Sequence, residues 1–190
     1  MMIARAVAVL LLLILAACGR QDAAWHATDV TGALPALDLA ATQANDGRAV
    51  TAGDYRGKVV LLYFGYTHCP DICPTTLANL SQMLTTLGAR ADKVRILFVT
   101  VDPARDDLTT LKNYVRAFAP QIDGLRGTAN QLTALARRYR VAFSVTPGPP
   151  YEVMHSNAVF FFDPSGRARL VATDVSKAED VASDVRRLME

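Results

Sequence analysis

The feature that most limits what this chain can fold into is the join between one apolar run and the loop that follows it. Lys58 to Tyr66 reads Lys-Val-Val-Leu-Leu-Tyr-Phe-Gly-Tyr, with no polar alternation after the lysine. Such a run, rich in β-branched and aromatic residues, predicts a strand buried on both faces, as in the middle of a parallel sheet. After Thr67 and His68 comes Cys69-Pro70-Asp71-Ile72-Cys73-Pro74, and then Leu77, Leu80, Leu84 and Leu87. Their three- and four-residue spacing makes one apolar helix face and predicts a helix over Pro74–Leu87, closed by Gly88. Two thiols therefore stand at a strand-to-helix turn, beyond the carboxyl end of a buried strand, where open α/β sheets place their ligand sites. With Pro74 at the first helical position, Cys73 lies at the helix N-terminus, whose dipole and free N–H groups favour thiolate.

The remaining elements support the same architecture. Ala36–Ala40 and Arg48–Thr51 read as a hairpin around Asn45-Asp46-Gly47, a strong turn signal. Val94–Val101 reads as a second buried strand, and Asp106 as the N-cap of a helix running to Phe118, stopped before Pro120. Ala129–Tyr139 reads as a helix and Val141–Val145 as a short strand. Asn157–Phe162 and Arg169–Thr173 form a hairpin across Asp163-Pro164-Ser165-Gly166. Ser176 is expected to cap a last helix that aligns Val181, Val185 and Leu188. The expected class is α/β, with a mixed central sheet covered by helices on both faces. The order resembles a thioredoxin-like fold with an N-terminal β-hairpin and an inserted helix.

Length and charge narrow the field. The chain has 190 residues, enough for one domain with a substantial core, and a net charge of +2 with no basic run. No nucleic-acid surface is expected, because that would need concentrated positive charge. Residues 1–17 carry one cation, Arg5, followed by an unbroken apolar run from Ala6 to Ala17. That length suits a signal peptide and is short of the roughly 20 apolar residues of a membrane-spanning helix. The run ends Leu15-Ala16-Ala17-Cys18-Gly19, which resembles the bacterial lipobox, in which the cysteine is lipidated. Residues 18–33 would then form the lipidated Cys18 and a tether, with the folded domain over 34–190. That domain would face the periplasm from a membrane of the bacterial cell envelope. Of three cysteines, Cys18, Cys69 and Cys73, two remain in a compartment where disulfides persist.

Two thiols four residues apart form a disulfide or grip a soft metal. The Cys-x-x-x-Cys spacing is one residue wider than the Cys-x-x-Cys of redox motifs, which leaves room for an ion. A purely structural disulfide of this size removes little chain entropy. His68 neighbours Cys69 directly, so its side chain points elsewhere if the backbone is extended. Met154, adjacent to His155, is expected in the core, although its thioether is also a soft ligand. From residue chemistry alone, a single histidine such as His155 before a strand reads as a hydrogen-bonded core residue.

The segments Phe64–Thr67, Cys69–Pro74, Val101–Asp106, His155-Ser156 and Asp163–Gly166 together resemble the signature of the SCO/SenC family of copper-binding proteins of cytochrome oxidase assembly. The resemblance runs from about residue 34 to 188, in order. It implies copper, Cu(I) or Cu(II), held by Cys69, Cys73 and His155, with His155 swinging in from the Pro-rich loop Thr146–Pro150. Thiolates favour Cu(I) and imidazole suits both oxidation states. It also implies a metallochaperone that serves the CuA centre of cytochrome c oxidase subunit II or its assembly factors, expected as a monomer. Asp102 matches an Asp of the family pattern, placed to tune the site or dock a partner. Asp71 is placed to orient the loop or set partner electrostatics. Family members are often held by a transmembrane helix, whereas this chain carries a lipobox. The other reading is a thiol–disulfide oxidoreductase that cycles a Cys69–Cys73 disulfide, acting on the CuA-site cysteines or in general periplasmic redox or peroxide defence.

Overall fold

A computed structural model describes residues 24–190; the expected signal segment and Cys18 lie outside the described residues. In chain order the elements are β1 (Thr28–Asp29), β2 (Ala40–Gln43), β3 (Ala49–Thr51), β4 (Val59–Gly65), α1 (Ile72–Leu87), β5 (Val94–Thr100), α2 (Leu108–Arg116), β6 (Ile122–Arg126), α3 (Ala129–Arg138), β7 (Phe143–Thr146), β8 (Glu152–His155), β9 (Val159–Phe162), β10 (Ala168–Ala172) and α4 (Ala178–Leu188). Eight strands form one sheet in the order β1-β10-β9-β4-β5-β6-β2-β3. β4 is buried at every residue and lies between parallel β5 and antiparallel β9. The apolar run is thus a central strand, as its lack of alternation requires.

Period-two alternation along β4 sorts the layers. Tyr63 pairs with Phe98, whose ring meets Tyr114 of α2, and the Tyr63 hydroxyl reaches Cys73 of α1. α4 packs on α1, so these three helices share one face. Val60 and Leu62 point the other way and pair with Phe162 and Phe160. The rings of those two phenylalanines meet Tyr139, the residue that ends α3. Helices therefore cover both faces, as expected. No helix among the described residues is long and apolar enough to cross a membrane.

Several expected boundaries move. The first hairpin arm is Ala40–Gln43, not Ala36–Ala40, because Ala41 pairs with Val50 and the turn runs through Ala44 to Gly47. The cap of α2 is Asp107, whose side chain accepts from the Thr110 N–H at 2.7 Å, not Asp106. Lys177 precedes α4 without a side-chain cap, while the Ser176 N–H is taken by Asp174. Ordered structure begins before residue 34. β1 pairs with β10, Asp184 accepts the His26 and Ala27 N–H groups, and the Arg187 guanidinium lies 3.8 Å from the centre of the Trp25 ring. The strand expected at Val141–Val145 is β7, which pairs with β8 alone in a separate two-stranded ribbon.

Candidate metal centre

The site is built at the carboxyl end of β4. Gly65 is the last residue of that strand, and a side chain has no room there. A Cβ would stand 2.5 Å from the Phe98 ring and 2.9 Å from Cys73 Sγ. The absent side chain lets the first turn of α1 press onto the sheet. Ile72 is the first helical residue and Cys73 the second, so the helix starts two residues earlier than the sequence suggests. Pro74 then falls at the third position, still among the N–H groups that have no partner inside the helix. Asp71 occupies the cap position, but its carboxylate makes no cap bond and accepts instead from Thr75 Oγ1 at 3.3 Å.

The loop before the cysteines hangs on Asp106. This fully buried carboxylate accepts from the Thr67 N–H at 3.0 Å, from Thr67 Oγ1 at 2.6 Å and from Thr100 Oγ1 at 2.6 Å. It joins the loop after β4 to the end of β5. By sequence alone it reads as a helix cap. The signal that could have found its role is Thr100 beside Thr67, two hydroxyls at adjacent strand ends that need a common acceptor.

Cys73 Sγ is fully buried and receives the Tyr63 hydroxyl at 3.7 Å. The Cys73 N–H donates to Cys69 Sγ at 3.4 Å. His155, at the end of β8, places Nε2 3.2 Å from Cys73 Sγ. Its Nδ1 lies 2.9 Å from the Ser156 carbonyl oxygen. A carbonyl only accepts, so Nδ1 carries the proton and the Nε2 lone pair faces the thiols. The ligand atoms of Cys69, Cys73 and His155 lie within 4.8 Å of one another. The Tyr66 and Tyr63 rings stand edge-on to the imidazole at 5.7 Å and 6.1 Å between centres and hold its plane. His155 therefore rests on the cysteine loop already, with no swing from the Pro-rich loop. Neither tyrosine was singled out from sequence, although Tyr63 shares a β4 face with Gly65, beneath the helix start.

The thiols are not equivalent. Burial pushes the Cys73 thiol up to about 12. Burial also raises Cys69, but hydrogen bonds from the Cys73 and Asp71 N–H groups and from neighbouring side chains outweigh it and leave that thiol below its ordinary value. The expectation that both thiols ionise readily thus holds for Cys69 and fails for Cys73, where desolvation defeats the helix terminus. Burial lowers His155 and favours the neutral ring.

Other candidates fall elsewhere. His68 Nδ1 is 3.1 Å from Thr67 Oγ1 and 3.5 Å from Asp106, outside the cluster. Met154 is 70% exposed rather than core, because β8 turns its alternate residues outward. It lines, with Cys69, Asp71, Ile72 and His155, an open cleft of about 500 Å³. Asp102 is buried beyond the sulfurs' immediate ring of contacts. It accepts from the Tyr151 hydroxyl at 2.8 Å and from Arg105 Nε.

The donor set, two sulfurs and one neutral imidazole nitrogen, suits a soft metal ion. The family model described as SCO1/SenC matches residues 41–190. The chain belongs to the SCO1/SenC family. Among SCO1/SenC relatives, the mitochondrial protein SCO2 homolog of Bos taurus is 41% identical over 148 residues, covering 75% of this chain and 56% of that protein. The chain thus spans little more than half the length of this curated relative. The structure of Bradyrhizobium japonicum ScoI with copper bound is 36% identical, covers 81% of this chain and 99% of that one, and superposes with a TM-score of 0.74. The solution structure of apo Sco1 from Thermus thermophilus is 30% identical, covers 90% and 99%, and gives a TM-score of 0.78. The SCO1/SenC fold of these structures is the thioredoxin-like one expected here.

Proposed function

We propose that this protein is a copper metallochaperone that takes one copper ion on Cys69 Sγ, Cys73 Sγ and His155 Nε2 and passes it to the CuA centre of cytochrome c oxidase subunit II. One observation carries the reading: the three soft ligand atoms lie within 4.8 Å of one another, with the imidazole in the tautomer that offers Nε2. The copper-bound ScoI of Bradyrhizobium japonicum supports the choice of metal. Copper here is cargo. An open cleft beside Cys69 and His155 gives a partner access to it. Residues 1–17 serve as a signal peptide, and lipid on Cys18 holds the domain to a bacterial envelope membrane, facing the periplasm.

The test is copper titration of the purified full chain under reducing and non-reducing conditions. One equivalent is expected, weakened more than about tenfold in His155→Ala and lost in Cys73→Ser. A Cys73→Ser protein that still holds one tight equivalent sinks the reading.

The asymmetry of the thiols favours a second reading. A more acidic, accessible Cys69 and a buried Cys73 suit nucleophile and resolving roles in thiol exchange. Cys69 thiolate would attack a partner disulfide, and Cys73 would close the Cys69–Cys73 disulfide, leaving the partner a dithiol. Stoichiometric reduction of the CuA-site disulfide by metal-free protein marks this activity.

A further inference from the structure

His155 is carried by the β7–β8 ribbon, which shares no backbone ladder with the main sheet. What holds the ribbon in place therefore decides where Nε2 points. Phe143 and Val153 pack on the core, but they are only partly buried, and β8 alternates between exposed and half-buried residues. The specific tie lies at the start of β8. Tyr151, four residues before His155, donates its hydroxyl to Asp102 Oδ1 at 2.8 Å. Asp102 is 1% exposed and is itself fixed, since its N–H donates to Thr100 Oγ1 at 3.0 Å at the end of β5. Its other oxygen accepts from Arg105 Nε. The Arg105 guanidinium stacks on the Tyr151 ring at 3.9 Å and reaches the Tyr66 ring at 5.8 Å, the ring that stands edge-on to His155. A charged acceptor and a stacked cation thus close on one tyrosine, and both belong to the segment after the strand beside β4.

We infer that Tyr151 is a positioning residue for His155: latched to Asp102 and Arg105, it pins the ribbon to the sheet and sets how long a bound metal keeps its nitrogen ligand. A hydrogen bond to a buried carboxylate is strong and directional, and its removal leaves the acceptor half-satisfied in a dry site. The Phe side chain keeps the stacking surface and loses only the tie. Release of the latch lets the ribbon lift His155 away while the two sulfurs stay on α1 and its loop, which turns a three-atom site into a two-atom one. The metal half of this inference rests on the copper reading above; the ribbon half does not.

The test uses the full chain as wild type, Tyr151→Phe, Asp102→Asn and His155→Ala, with a Tyr151→Phe/His155→Ala double variant. In metal-free protein, hydrogen–deuterium exchange is followed by peptide mass. Amides of 143–146 and 152–155 should exchange about tenfold faster in Tyr151→Phe, with β4 and β5 unchanged and Asp102→Asn intermediate. In Cu(I)-loaded protein, transfer to a colorimetric chelator should speed up about tenfold in Tyr151→Phe, and the same change should add nothing in the His155→Ala background. Nitrogen hyperfine structure in the Cu(II) resonance spectrum should weaken in parallel. Unchanged ribbon exchange overturns the latch. Faster copper transfer of equal size with and without His155 overturns the positioning role. A wild type that binds no copper overturns the proposed function, and ribbon exchange alone then decides the latch.

Discussion

Cys69 and Cys73 are four residues apart and live in different solvents. Cys73 is sealed under Tyr63 and the end of β4, whereas Cys69 is half-buried and borders the open cleft. A thiol reacts with an alkylating agent only as thiolate, so its rate below its own pKa falls about tenfold per pH unit. The buried Cys73 is pushed up to about 12 and stays protonated through the neutral and mildly alkaline range. Cys69 is held below its ordinary value by the N–H groups of Cys73 and Asp71, which overcome its partial burial. In metal-free protein, iodoacetamide at about pH 7.5 should therefore modify Cys69 at least about tenfold faster than Cys73. The Cys69 rate should level off below the pH at which a free thiol does, while the Cys73 rate keeps climbing through the alkaline range. Peptide mass spectrometry across pH checks both, and equal rates would contradict the assignment. At this scale the cluster whose donor atoms lie within 4.8 Å of one another was legible: the spacing named the two cysteines, and the family resemblance named His155. Their acidities were not, because spacing does not report which thiol is covered.

At the scale of elements, the strands and helices that bury apolar residues declare themselves. β4, β5, β9, β10 and the body of α1 all lie where their patterns placed them. β6 escaped notice because its residues read Ile-Asp-Gly-Leu-Arg, two of which disfavour strands. The structure explains both exceptions. Asp123 is buried and accepts from Asn45 Nδ2 at 2.9 Å, and Gly124 faces Leu111, whose Cγ would be 2.6 Å from any Cβ. β8 escaped because, among the described residues, it pairs only with β7, so no core pattern marks it. Asp106 and Asp107 are a third case, two adjacent acids of which either could cap a helix by sequence. Their geometry separates them. Asp107→Ala removes one exposed cap and should lower the denaturant midpoint only slightly. Asp106→Ala strips the acceptor from Thr67 N–H, Thr67 Oγ1 and Thr100 Oγ1 in a buried site and should cost about 3 kcal/mol. Denaturant midpoints of the full chain decide this. The reverse order would return Asp106 to the cap and leave the cysteine loop without its anchor.

For the whole molecule, the proposed lipid anchor poses the question of how far the proposed copper site can travel from a membrane. The domain grips its own N-terminal segment. β1 is hydrogen-bonded to β10, Asp184 holds the N–H groups of His26 and Ala27, and Trp25 lies under the Arg187 guanidinium. Only residues 19–24 then separate Cys18 from the clamped segment, rather than the tether to residue 33 that polarity suggests. Polarity misled there because β1 is a two-residue edge strand whose residues are exposed, and its anchor is a carboxylate on a helix more than 150 residues away. An extended chain spans at most about 3.5 Å per residue, so a lipid on Cys18 would hold the domain within about 20 Å of the bilayer surface. Acyl chains contribute about 0.8 kcal/mol for each buried methylene, and stable anchoring takes more than one chain. If Cys18 carries the lipid, a single substitution there should remove the lipid without touching the fold. In a bacterial host, Cys18→Ser is expected to shift the protein to a form that sediments with membranes through an uncleaved leader, or to the soluble envelope fraction once the leader is cut. In either form, labelled palmitate incorporation is lost and one copper equivalent is still bound. Palmitate labelling that persists in Cys18→Ser would place the anchor elsewhere. Loss of copper binding together with the lipid would make the anchor part of the metal site, against a geometry in which all three proposed ligand atoms come from residues 69–155.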